Sequence, residues 1–151
     1  MRPRYYTRHI DRRVAVAGGG PAGITAAVEL ASMGYRVTIY EVGDGLGGML
    51  RRAVPGFRLP DEVWRREFEE AVGEGIDVVH GARVGCNPTI GDLFERGFKA
   101  VLLDVGASNG RKIFITGCDY QGVHNALSFM AAVKDEWPML VGERAGGGGR
   151  R

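Results

Sequence analysis

The sequence lacks the features that mark membrane, secreted and metal-binding proteins. No apolar run approaches the ~20 residues that a helix needs to cross a bilayer, and no apolar segment of a secretory signal follows the basic start. The two cysteines, Cys86 and Cys118, form neither a CxxC pair nor a metal quartet, so iron–sulfur ligands are not expected in this chain. These absences predict a cytoplasmic protein with reduced thiols and no membrane partner.

An excess of charge of one sign is also missing. The formal net charge of the 151 residues is +2, which predicts no nucleic-acid partner. Basic side chains are nevertheless concentrated in residues 1–12, which we predict to be a solvated N-terminal arm, with docking to an acidic partner as the open alternative. Residues 138–151, with glycines at 146–149, are predicted to be a disordered tail.

Catalytic side chains are scarce as well. His9, His80 and His124 are scattered, and no Ser/His/Asp or Cys/His arrangement is recognisable. The catalytic residues therefore stay unknown. A cofactor that carries the chemistry while the protein positions it is consistent with this composition.

Hydrophobic periodicity divides residues 13–137 into alternating strands and helices. Short apolar runs predict strands, and stripes at helical spacing predict helices. The expected strands are residues 13–17, 36–41, 76–80 and 99–105, and the expected helices are residues 21–33, 61–72, 89–97 and 125–133. This alternation predicts an α/β fold, a Rossmann-like parallel sheet with helices on both faces.

Two local signals refine these boundaries. Asp61 is a plausible N-cap for the second helix, and Thr89 with Asp92 resembles a capping box at the start of the third. Residues 42–60 contain five glycines and two prolines, and we predict a long loop without helix or strand. Loops of that length in compact domains are usually functional.

The first strand runs into the pattern Gly18-x-Gly20-x-x-Gly23, followed by a helix that begins at Pro21. Gly18 permits a tight turn, Gly20 allows the backbone to approach a pyrophosphate, and Gly23 lets helix and strand pack closely. The N-terminus of the helix then offers free N–H groups to phosphates. A strand before the pattern and a helix after it make a dinucleotide site the favoured interpretation.

Glu41 supports the same interpretation. It lies 18 residues after Gly23, at the end of the second strand. An acid at this place can accept hydrogen bonds from the hydroxyls of an adenosine ribose, and it would repel a 2′-phosphate. A charged strand end in solvent is the alternative.

Two further signals favour a ligand longer than NAD. Gly47 and Gly48 permit a second close approach of the backbone soon after Glu41. Arg58 lies between Pro55 and Pro60, and a fixed guanidinium suits a phosphate. The alternatives are a plain turn and a surface arginine.

The motifs together resemble one specific family. The strings VAVAGGGPAG from Val14, GYRVTIYE from Gly34, GGML from Gly47 and VPGFRLP from Val54 are similar to the glutamate synthase small (β) subunit and the matching FAD domain of dihydropyrimidine dehydrogenase. The similarity extends over about residues 12–134.

The resemblance implies FAD as the cofactor and NAD(P)H as the electron donor, with electrons passed on to iron–sulfur clusters. By this resemblance, the first glycine loop would face the pyrophosphate, Glu41 would hold the ribose, and the backbone of Val84 would meet the adenine. Val105 and Gly106, at the end of the fourth strand, would cover the cofactor. The implied cofactor contacts are Gly18, Gly20, Pro21, Ala22, Gly23, Glu41, Gly47, Gly48, Met49, Leu50, Arg58, Val84, Val105 and Gly106.

The chain also departs from that family. Its cysteine-rich segment, its nicotinamide domain and the segment that returns to complete the FAD domain have no counterpart here, so we expect an incomplete FAD-binding domain whose nicotinamide site and iron–sulfur clusters would lie on a partner chain. Asp104 replaces a small residue, and Arg52-Ala53 replaces a Tyr-Gly-like pair. The chain is therefore expected to be a truncated product, a fragment or one piece of a split enzyme.

Two other functions remain open. One is a non-catalytic nucleotide-binding module, or gene relic, that binds ADP-like ligands. The other is a NAD-binding domain, against which Gly47-Gly48 and the string around Arg58 argue.

Overall fold

The computed structural model describes residues 12–73, 75–111 and 113–135. The predicted basic arm, apart from Arg12, and the predicted tail at 138–151 lie outside these residues.

The described residues form four strands and five helices, with at least one helix between successive strands. They are β1 (Arg13–Ala17), α1 (Pro21–Ser32), β2 (Arg36–Tyr40), α2 (Gly48–Ala53), α3 (Asp61–Val72), β3 (Ile76–Val79), α4 (Ile90–Glu95), β4 (Phe98–Leu103) and α5 (Ala126–Lys134). The strands form one parallel sheet in the order β3-β2-β1-β4. The chain therefore winds from β1 through β2 to β3 and then crosses to the other side of β1, so the strand order reverses between β1 and β4.

Both faces of the sheet are covered, because neighbouring residues of a strand point to opposite sides. On one face, Val16, Val37 and Ile39 pack against Ile24 and Ala27 of α1, with Phe68 and Val72 of α3 at the border. On the other face, Ala15, Tyr40 and Phe98 pack with Leu93 of α4. Burying a side chain the size of Ile39 contributes about 1.5–3 kcal/mol to stability. The predicted α/β fold is confirmed.

Local signals explain where several helices begin and end. Pro21 occupies the first turn of α1, and Gly34, at φ 89°, adopts the left-handed conformation just after that helix. In the capping box of α4, Thr89 Oγ1 accepts from the Asp92 N–H at 3.1 Å, and the Asp92 carboxylate accepts from the Thr89 N–H at 2.9 Å. The start of α1 at Pro21 and the capping box of α4 agree with the sequence-based prediction.

Three expectations need correction. Residues 42–60 are not a loop throughout, because Gly48–Ala53 form α2. Asp61 is the first residue of α3 rather than its N-cap, which is Pro60, and its carboxylate accepts from Trp64 Nε1 at 3.0 Å. The strands are shorter or shifted: β2 stops before Glu41, β3 stops before His80, and β4 ends at Leu103.

Among the described residues, none of the helices combines the length and apolar character needed to span a bilayer.

Candidate functional site

A cleft of about 640 Å³ opens at the carboxyl ends of the strands. It is bounded by the turns that follow β1, β2 and β4, by the start of α1, by α2, and by the loop after β3. Ligands of open parallel sheets bind at this end, where the strand order reverses. Here β1 and β4 are joined at that point by the Asp104 N–H, which donates to the Ala17 carbonyl at 2.9 Å.

The three glycines of the first loop have different spatial roles. Gly18 has φ +119°, and a Cβ there would lie 2.0 Å from the Asp104 carbonyl oxygen. A Cβ on Gly23 would lie 2.0 Å from the Gly18 carbonyl oxygen, so close packing of α1 requires glycine there too. A Cβ on Gly20 would meet nothing within 4 Å. Gly20 therefore borders open space that a ligand can fill.

The N-terminus of α1 faces this space with its N–H groups uncapped. Gly20 is the N-cap and provides no side chain, and the first turn of α1 has no acidic residue. By contrast, α3 begins with Asp61 and Glu62. The first-turn N–H groups of a 12-residue helix carry partial positive charge, so this end of α1 can bind a phosphate.

Glu41 is buried directly after β2, with 7% of its surface exposed. Its Oε2 accepts from the Gly19 N–H and its Oε1 from the Gly43 N–H, each at 2.7 Å. Its backbone also bonds to Val79 and Ala82 on the neighbouring chain segments. The carboxylate is thus fixed beside the first glycine loop, and its remaining lone pairs can accept hydrogen bonds from sugar hydroxyls.

The second glycine pair joins α2 to the first loop. The Gly47 N–H donates to the Gly19 carbonyl at 2.7 Å, and a Cβ on Gly48 would lie 3.1 Å from the Gly20 Cα. Arg51 pairs with Asp44, and this hydrogen bond is the main reason that the pKa of the Asp44 carboxyl lies below its ordinary value. The two glycine loops therefore form one wall of the cleft.

The cleft brings together ten of the fourteen predicted cofactor contacts. They are Gly18, Gly20, Pro21, Ala22, Glu41, Gly48, Met49, Val84, Val105 and Gly106.

The remaining four predicted contacts do not line the cleft. Gly23 and Gly47 act in packing and in the turn before α2, and Leu50 is half-buried on α2. Arg58 is exposed, in a turn where its N–H donates to the Pro55 carbonyl at 2.9 Å.

Sequence reasoning did not identify several residues that line the cleft. Arg52 and Asp104 were noted only as departures from the family, and Arg83, Cys86 and Tyr40 were not noted as site residues. The side chains of Arg52, Arg83 and Asp104 make no hydrogen bond or ion pair within the described part of the chain. No motif marks the arginines, whose place depends on how α2 and the loop after β3 fold. Within residues 12–73, 75–111 and 113–135, no cluster of potential metal ligands occurs.

The fold and the cleft define a nucleotide-binding unit of the Rossmann type. Residues 16–68 match the family model described as NAD(P)-binding Rossmann-like domain. The solved structure of Mycobacterium tuberculosis FprA in complex with NADPH superposes with a TM-score of 0.71 at 25% identity, covering 80% of this chain and 28% of that one.

Two curated relatives narrow the class. The chain is 35% identical over 130 residues to the glutamate synthase [NADPH] small chain of Bacillus subtilis, covering 86% of this chain and 26% of that protein. It is 41% identical over 98 residues to the NAD-dependent dihydropyrimidine dehydrogenase subunit PreT of Salmonella typhimurium, covering 65% of this chain and 24% of that protein. The resemblance inferred from the sequence is confirmed.

These relatives are NAD(P)-linked oxidoreductases, and the chain spans about a quarter of their length. The chain therefore aligns with one segment of these longer proteins.

Proposed function

We propose that this chain supplies the FAD-binding portion of a flavin-dependent NAD(P)H oxidoreductase similar to the glutamate synthase small chain. One observation carries the proposal: the uncapped N-terminus of α1 opens onto the cleft next to the fixed carboxylate of Glu41. This pair provides partial positive charge for a pyrophosphate and an acceptor for ribose hydroxyls.

Each wall of the cleft has a proposed part in holding the cofactor. The first turn of α1 and Gly20 would face the pyrophosphate, and Glu41 would accept from the ribose of the adenosine. The loop after β3 would border the adenine through Val84. Met49 of α2, with Val105 and Gly106 after β4, would border the rest of the molecule.

The extent of the cleft supports FAD over NAD as the ligand. The lining continues from the first glycine loop along α2 and past the end of β4 to Ser108. When bound, the flavin would accept a hydride from NAD(P)H. The residues of this chain would bind and orient it.

We further propose where the rest of the reaction takes place. The nicotinamide site and the iron–sulfur acceptors would be supplied outside the described residues, by a partner chain or a further domain, as subunit names among the relatives suggest. The proposed compartment is the cytoplasm, which agrees with Cys86 and Cys118 being free thiols.

Titration of the purified chain with FAD and with ADP tests this proposal. Flavin absorbance and the quenching of flavin fluorescence should show saturable binding of FAD, with higher affinity than ADP because the flavin half adds contacts along α2. A chain that binds ADP at least as tightly as FAD, so that the flavin half adds no affinity, would instead be a non-catalytic ADP-binding module. A chain that binds neither would overturn the proposal.

A further inference from the structure

Lys134, in the last turn of α5, is held in an environment unusual for a lysine. Its side chain is 15% exposed, and its ammonium reaches two partners far away in the sequence. Nζ donates to the Val54 carbonyl at 3.0 Å and pairs with Asp61 Oδ1 at 2.7 Å. Lys134 therefore joins α5 both to the end of α2 and to the start of α3.

The first contact fixes the C-terminal end of α2. Val54 is the C-cap of α2, where helix carbonyls lack partners within the helix. The ammonium of Lys134 supplies one, and α5 packs alongside α2. Because Gly48, Met49 and Arg52 of α2 line the cleft, the position of α2 sets the shape of that wall.

The second contact reaches the other end of α2 through a tryptophan. Asp61 Oδ1 also accepts from Trp64 Nε1 at 3.0 Å, and Trp64 as a whole is 6% exposed. A Cβ placed on Gly47 would lie 3.4 Å from Trp64 Cε3 and 3.2 Å from Phe68 Cε2. The turn that begins α2 thus packs on these two rings. The Gly47 N–H in this turn donates to the Gly19 carbonyl of the first glycine loop.

We propose that Lys134 is a positioning residue for the nucleotide ligand, because it fixes α2 and the Gly47-Gly48 turn against the first glycine loop. This inference rests on the proposed function for the identity of the ligand. α5 contributes no residue to the lining of the cleft, so its effect is exerted through α2. Binding and α5 docking are then linked, and each must strengthen the other.

The test combines hydrogen exchange with ligand affinity in the full 151-residue chain. In Lys134→Met, amides of residues 48–54 should exchange faster than in the wild type without ligand. The Kd for FAD should rise about tenfold, the loss expected when a hydrogen bond to a charged group is removed. Lys134→Arg should recover part of the affinity because it keeps the charge and the donors.

Lys99→Met is the matched control, because Lys99 is exposed on β4 and does not line the cleft. In the reverse direction, adding FAD to the wild type should slow exchange in residues 126–135. If Lys134→Met does not fold, Asp61→Asn tests the same link, since its amide keeps an acceptor for Trp64 but loses the ion pair.

Each failure has a distinct meaning. Unchanged exchange of residues 48–54 together with unchanged Kd in Lys134→Met would overturn the role of Lys134. A wild-type chain without affinity for FAD or ADP would overturn the proposed function, while the exchange comparison without ligand would still decide whether Lys134 fixes α2.

Discussion

Substitutions in the first glycine loop separate the needs of the fold from those of the ligand. Gly20 has φ −76° and ψ 176°, an extended conformation that any L-residue can adopt, and open space lies where its Cβ would be. We expect Gly20→Val to remain folded and to lose nucleotide binding, because the branched side chain would occupy the place of the pyrophosphate. Circular dichroism together with FAD titration checks both halves of this expectation.

Gly23→Val is the matched control for that experiment. Its Cβ would lie 2.0 Å from a backbone oxygen, so this variant should lose stability as well as binding. A Gly20→Val protein that keeps full affinity for FAD would show that the loop is only a turn.

Glu41 should decide which adenine nucleotides enter the cleft. Its carboxylate is held by two N–H groups and cannot turn away without breaking both hydrogen bonds. A 2′-phosphate placed at the ribose would therefore meet a fixed negative charge. Like charges juxtaposed at contact cost several kcal/mol, so ADP should bind on the order of a hundredfold more tightly than 2′-phospho-ADP. Calorimetric titration of both ligands measures this ratio, and equal affinities would remove Glu41 from the ribose.

At the scale of elements, the docking of α5 should depend on pH. The hydrogen bond from Lys134, followed by that from Trp64, holds the pKa of the Asp61 carboxyl below its ordinary value of 3.8. A carboxyl whose pKa is lower in the folded state than in the unfolded state stabilises the fold. This contribution is complete at a pH above the unfolded-state pKa, and it is lost as the pH falls through the folded-state pKa. We therefore expect the docking of α5 to weaken as the pH drops below about 4.

Hydrogen exchange of residues 126–135 as a function of pH, corrected for the intrinsic exchange rate, follows this weakening. In Asp61→Asn the same residues should exchange faster at neutral pH and lose most of the acid-dependent step. An acid-dependent step that Asp61→Asn leaves unchanged would assign it to another group.

The helices and strands with a periodic apolar pattern could be predicted from the sequence. An element that is stabilised mainly by tertiary contacts could not. Local signals determine where α1 and α4 begin, so Pro21 and Thr89 mark these starts correctly. The six residues of α2 begin with Gly48, directly after Gly47, and lie between turn-forming segments, which obscures their helix-forming side chains. Its stabilising contacts come from α5, Trp64 and Phe68, and no local pattern encodes them.

The same distinction applies within the site. Gly18, Gly20 and Glu41 could be predicted because the strand–turn–helix unit fixes their relation over a short stretch of chain. Arg52 and Arg83 reach the cleft from elements that tertiary packing places there, so their spacing in the sequence carries no signal. The contact between Arg58 and FAD stays a prediction, since that side chain is exposed and outside the cleft lining.

At the scale of the whole molecule, large apolar side chains are exposed at and after the end of β4. Leu103 and Val105, at the end of β4, are 59% and 70% exposed, and Phe114 is 88% exposed. Val105 lines the cleft next to the proposed position of the cofactor, so this side of the site is open to solvent. The 151-residue polypeptide should therefore hold FAD weakly by itself.

The last prediction concerns turnover. Hydride transfer requires the nicotinamide to be held against the flavin ring, and such positioning can contribute an effective molarity of ~10⁵ M or more. Within residues 12–73, 75–111 and 113–135, the glycine-rich loop beside α1 is the only one that follows a strand and opens a helix in the dinucleotide-binding pattern. We expect the purified 151-residue chain with added FAD to show little or no NAD(P)H oxidation.

Adding a partner that carries a nicotinamide-binding domain should restore NAD(P)H oxidation. Absorbance at the NADPH band measures both rates. Steady consumption by the chain alone would mean that contacts between copies of the chain build the second site.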